Sequence, residues 1–184
     1  MAIVIVGHFL TPDMPRPDGI GQGINVKVST ELGPGENYAR VLQAVHNMFP
    51  DFPREEIPGN NEFPSNREKI ILSAEGLSIA TLLDAAAEQR VLDTALDSMS
   101  QSGEITDRVS QFSISRQAAY AGKLSFSVFD EHQLGGVITI KLEGEDLVTW
   151  IEEATWHPGR DEIPRSIGDD LSMNQDGTPI TWMD

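Results

Sequence analysis

The sequence predicts an α+β fold: an antiparallel-dominated sheet with helices packed on one face, in the order β-α-β-α-β-β-β-α. Three features point there. Segments of alternating apolar and polar residues recur along the chain. Segments with apolar residues three and four apart stand between and after them. Three alternating segments follow one another directly between residues 112 and 142.

Residues 1–22 start with the apolar run MAIVIVGHFL and continue rich in Pro and Gly. They read as an N-terminal extension, with an added strand or a start at Met14 as variants. A single domain is expected over 23–155. Ile24, Val26 and Val28 alternate with Asn25, Lys27 and Ser29, the pattern of a half-buried strand. After the turn ELGPGE, Tyr38, Val41, Leu42, Val45, Met48 and Phe49 mark one face of a helix, which Pro50 and Pro53 stop. A polar loop with Pro58 and Pro64 leads to a buried strand around Ile70, Ile71 and Leu72.

Residues 77–100 read as helix. The apolar stripe Ile79, Leu82, Leu83, Ala86 should next reach Gln89 and Arg90, and resumes one residue out of phase at Leu92, Ala95, Leu96 and Met99. Either the helix breaks near Gln89 or the two polar side chains face something specific. Gly103 ends the element. Phe112 and Ile114, then Leu124, Phe126 and Val128, then Ile138, Ile140 and Leu142 mark three strands. Glu145 and Asp146 favour a helix start through the helix dipole. Leu147, Val148, Ile151 and Ala154 form that helix's apolar face. Residues 156–184 are rich in Pro, Gly and Asp, and little packed structure is expected there.

The 184 residues suffice for one core without staples. There is no Cys, which excludes disulfides and thiolate sites. No apolar run reaches the roughly 20 residues of a membrane span. The expected location is the cytoplasm. Asp and Glu number 29 against 13 Lys and Arg, a net charge of −16. Such a surface fits a salt-rich cytoplasm, where self-repulsion is screened. It also fits an ordinary acidic protein. It argues against broad phosphate binding.

No catalytic or metal pattern is legible, so a binding protein is expected rather than an enzyme, with no cofactor. Gly19, Gly21 and Gly23 precede a strand, whereas a dinucleotide loop precedes a helix. They read as a hinge. His8, His46, His132 and His157 show no metal spacing, and His46 reads as packed. Adjacent carboxylates such as Glu152 and Glu153 diverge on a helix and share no site. Asn174 to Gly177 echo part of a calcium loop without its closing Glu.

One stretch breaks the charge pattern. From Arg108 to Phe129 there is no acid, and Arg108, Arg116 and Lys123 give a local +3. It holds SRQAAYAGK at an expected turn between two strands. Arg and Lys can meet phosphates, Gln can read base edges and Tyr can stack on a base.

The runs AEQRVLDTA (87–95), SISRQAAYAGKLSF (113–126) and GGVITIKLEGED (135–146), with VKVSTE (26–31), resemble an archaeal uncharacterised protein family numbered 0201. The match spans about residues 24–155. The resemblance implies predicted RNA binding and a fold similar to the double-stranded-RNA-binding domain and to the ribosomal protein that holds 5S RNA. The family's basic or polar residue before Q-A-A is matched by Arg116, and its E-Q-R triplet by Glu88, Gln89 and Arg90. The acidic charge departs from the family's basic members.

The reading is a non-catalytic RNA-binding protein. Arg116, Gln117, Tyr120 and Lys123 form the contact surface, with Arg90 and Gln89 supporting. The bland alternative for these residues is structural: Arg90 caps carbonyls at a helix break, and the QAAY turn fixes a hairpin. The functional alternative is a homodimeric protein-interaction module without a nucleic-acid role.

Overall fold

The computed structural model describes residues 16–54, 68–100, 108–127 and 134–167. Strand β1 (Ile24–Leu32) alternates buried and outward side chains as its sequence requires. It pairs antiparallel with β2 (Ile70–Glu75) on one side. On the other it pairs with β4 (Val137–Gly144), which in turn pairs with β3 (Val109–Ser115). The sheet order is β2-β1-β4-β3, all antiparallel.

Helices α1 (Tyr38–Met48), α2 (Ala80–Glu88), α3 (Leu92–Ser100), α4 (Arg116–Tyr120) and α5 (Leu147–Ala154) complete the fold. Their apolar faces meet the even-numbered side of the sheet. Val26, Val28, Ile114, Ile138, Ile140 and Leu142 are buried there with Val45, Leu83, Leu96, Met99 and Ile151. Each such aliphatic side chain contributes about 1.5–3 kcal/mol relative to exposure. The odd-numbered side of the sheet faces outward.

Asn37 caps α1, its Oδ1 accepting from Arg40 N at 3.1 Å. α1 ends at Met48, just before Pro50. The expected helix over 77–100 is two helices. Arg90 takes φ 59° between α2 and α3, and this left-handed residue produces the phase slip in the apolar stripe. The expected strand at 124–128 is reduced to a bridge between Ile114 and Phe126. It is closed by Ser115 N to Ser125 O and Ser127 N to Ser113 O, both 2.8 Å. The expected turn over QAAY is instead a short helix, α4, because Ser115 turns the chain at the end of β3 and caps it, accepting from Ala118 N at 3.4 Å. α5 begins directly after Asp146, which sits at φ 52° and makes no side-chain cap.

Two terminal segments depart from expectation. Residues 156–167 pack rather than trail. Arg160 is buried, its Nε donating to Asp93 Oδ1 at 3.0 Å and its Nη2 to Thr155 Oγ1 at 3.2 Å. His157 Nε2 lies 3.1 Å from Asp93 Oδ2, and Arg165 pairs with Asp97 at 3.0 Å. Burial pushes the Asp93 carboxyl up, but the Arg160 and His157 hydrogen bonds and charges together outweigh it and hold it below the usual value. At the other end, Gly19, Gly21 and Gly23, all at positive φ, form a turn rather than a hinge. Gln22 Oε1 accepts from Gly19 N at 3.0 Å and from Trp150 Nε1 at 2.7 Å. The opening apolar run, His8, Met14, the Pro58–Pro64 loop, Gly103, Val128, His132 and the 174–177 segment lie outside the described residues.

Candidate nucleic-acid interface

Arg116, the residue before Q-A-A, is 5% exposed. Its Nε donates to Gly135 O at 2.7 Å and its Nη1 to Thr30 Oγ1 at 3.2 Å. Nη1 also donates to Glu31 O, and Nη2 pairs with Glu36 Oε1. Burial pulls the guanidinium below its ordinary pKa, against the pull of Glu36 and Glu31. It stays cationic at neutral pH because Arg does not lose its proton in proteins. Arg116 therefore ties the end of β1, the ELGPGE turn and the turn before β4 to α4. It is a framework residue, not the exposed phosphate contact the sequence suggested.

The GG of GGVITI has its reason here. Gly135 and Gly136 sit at φ 84° and 77°. A β-carbon on Gly136 would lie 2.5 Å from Arg116 Nη2, and one on Gly135 would lie 2.6 Å from Gln117 Cγ. The two glycines let Arg116 and Gln117 lie against the backbone.

α4 is closed by Gly122 at φ 69°, with Lys123 N donating to Ala118 O at 2.9 Å. Asn47 on α1 caps the same helix end, its Nδ2 donating to Ala119 O at 2.9 Å and Tyr120 O at 3.1 Å. The E-Q-R run meets this end as well: Gln89 Oε1 accepts from Leu124 N at 3.0 Å. Gln89 is thus positional, and Arg90 is exposed beside it in the chain.

Gln117, Tyr120 and Lys123 are exposed, Tyr120 by 49%. Gln117 and Tyr120 line a cleft of about 580 Å³ between α4 and the first turns of α1, together with Asn37, Arg40 and Glu36. Glu36 is the one acid among the lining residues, and Arg116 neutralises it. Arg40 is then the remaining charge among the lining residues, a cation in a chain of −16. Lys123, Gln89 and Arg90 do not line it. Sequence reasoning missed Arg40, Glu36 and Asn47. The Asn before Tyr38, a preferred capping residue, is the signal that could have marked that helix start.

Among the described residues no group of three or more His, Asp and Glu could hold a metal ion, and no helix is long and apolar enough to cross a membrane. His46 Nε2 lies 2.7 Å from Phe52 O and packs edge-on against that ring.

These features define a small α+β protein with helices over one side of an antiparallel sheet and an open cleft at the α1–α4 seam. No family model matches the chain. It is 30% identical over 133 residues to a UPF0201 protein of Sulfurisphaera tokodaii, covering 70% of this chain and 86% of that protein. It is 29% identical over 145 residues to a UPF0201 protein of Aeropyrum pernix, covering 75% and 91%. The solved UPF0201 protein from Methanococcus jannaschii shares the fold, with a TM-score of 0.56 and 23% identity over 73% of this chain and 96% of that one. The chain belongs to the archaeal UPF0201 family.

Proposed function

We propose that this is a non-catalytic RNA-binding protein of a salt-rich cytoplasm, holding an unpaired base of a structured RNA in the α1–α4 cleft. The observation that supports this reading is the half-exposed Tyr120 ring beside Gln117 and Arg40, in a cleft whose single acid is paired. A base stacks on the ring, Gln117 reaches a base edge and Arg40 meets a phosphate. The outward face of the sheet presents no aromatic ring among the described residues, so stacking belongs to the cleft.

The test is fluorescence anisotropy with a pool of structured RNAs at about 0.2 M and about 2 M KCl, since ionic contacts fade with salt and stacking does not. Tyr120→Ala is expected to weaken binding by about 1–3 kcal/mol at both salts. Binding that Tyr120→Ala leaves unchanged, or no binding at either salt, overturns the reading.

A further inference from the structure

The outward face of the sheet has a composition unlike the rest of the chain. Three of the four lysines, Lys27, Lys69 and Lys141, have their ammonium groups on it. They pair there with Glu75, Glu31 and Glu143, the first two at 2.6 Å. Three cations against three carboxylates make the face neutral in a chain of −16. Across its middle runs a row of hydroxyls in direct register: Ser73 opposite Ser29, Ser29 opposite Thr139, Thr139 opposite Ser113. Ser113 and Thr139 are hydrogen-bonded at 3.1 Å. Short side chains in the centre leave the face flat. Next to the row stands Ile71, 69% exposed.

We infer that this face is a docking surface for a second copy of the chain, sheet against sheet. Net charge argues for the occupant. Two acidic molecules repel wherever their carboxylates outnumber their cations, and least where the face is neutral. Along β1 the arrangement is also self-complementary, as a twofold contact demands. On β1, Lys27 and Glu31 flank Ser29 at equal distance along the strand. A twofold axis along the hydroxyl row sets Ser29 over Ser29 and brings Lys27 of each copy over Glu31 of the other. A shallow depression of about 590 Å³, lined by Glu31, Ile71, Val137 and Thr139, lies where the long side chains of the opposite copy arrive. Four strands about 4.8 Å apart, each about seven residues long, offer a planar footprint on the order of 450 Å² per copy. That is small for a specific interface, so the dimer dissociates at micromolar concentration. The depression shares Glu36, Arg116 and Gly135 with the cleft, but Lys27, Ser29 and Glu31 do not line the cleft, so either reading can fail alone.

Sedimentation equilibrium of the full chain in about 2 M KCl, where long-range repulsion is screened, reads the association. Lys27→Glu and Glu31→Lys are each expected to raise the dissociation constant about tenfold or more, as close interfacial charge pairs do. The combined Lys27→Glu/Glu31→Lys/Lys69→Glu/Glu75→Lys protein, which keeps the pairs within each copy as well as those between copies, is expected to regain the wild-type value. Ser29→Arg, which fills the central row without touching a charge pair, is expected to leave only monomer, and it decides the matter where the reversals disturb the fold. A wild-type monomer at every concentration overturns the inference. So does a dimer indifferent to Ser29→Arg, or one that the fourfold reversal fails to restore while its circular dichroism melt is normal.

Discussion

The Arg116 guanidinium divides its donors among acceptors from separate stretches of chain: Gly135 O, Thr30 Oγ1, Glu31 O and Glu36 Oε1. A planar fork can satisfy such a set, and a single ammonium on a flexible stem cannot. Arg116→Lys is therefore expected to destabilise the fold by about 2 kcal/mol, the size of a lost charge-assisted hydrogen bond, measured as a fall in the denaturant midpoint at constant KCl. An unchanged midpoint would show that the buried network contributes nothing to stability. The importance of this residue was legible in the sequence, and its role was not. An Arg in an acid-free stretch reads as a surface contact, and Glu36 lies too far off in the chain to suggest an ion pair. Tyr120 and Gln117 kept the exposure expected of contacts because they follow Arg116 on the open side of α4.

At the scale of elements, long strands and helices were readable because periodicity accumulates over many residues, as in β1, β4 and α1. α4 was not, since five residues hold little more than one turn and carry no period. Its signals were local ones, Ser115 before it and Gly122 after it. The α2–α3 break was announced by the phase slip, but not its conformation. Arg90 holds a left-handed backbone that costs a side-chain-bearing residue about 1–2 kcal/mol. Arg90→Gly removes that strain at some cost in chain entropy, for an expected net gain of about 0.5–1 kcal/mol by thermal melt. If the same variant binds RNA as wild type does, Arg90 shapes the helix junction and touches no ligand. If binding falls while stability rises, it belongs to the interface.

For the whole molecule, charge dominates. With −16 overall, the folded chain gathers its own carboxylates closer than the unfolded chain does. Stability is expected to climb with KCl and level off near about 1 M, where the screening length falls to about 3 Å. A midpoint flat across that range would place self-repulsion below the other terms in stability. The sheet order carries a separate consequence, for time rather than energy. β1 lies at the centre, bonded to β4, whose residues follow it by more than half the chain. That pairing closes the longest loop of the three strand pairings in the described sheet, and loop closure must come before its contacts reward it. On a ribosome, β2 follows soon enough to cover one edge of β1, and the other edge waits bare until β4 has been made. The fold is thus expected to be slow to complete and cooperative when it does, with β1 as the segment in need of shelter meanwhile.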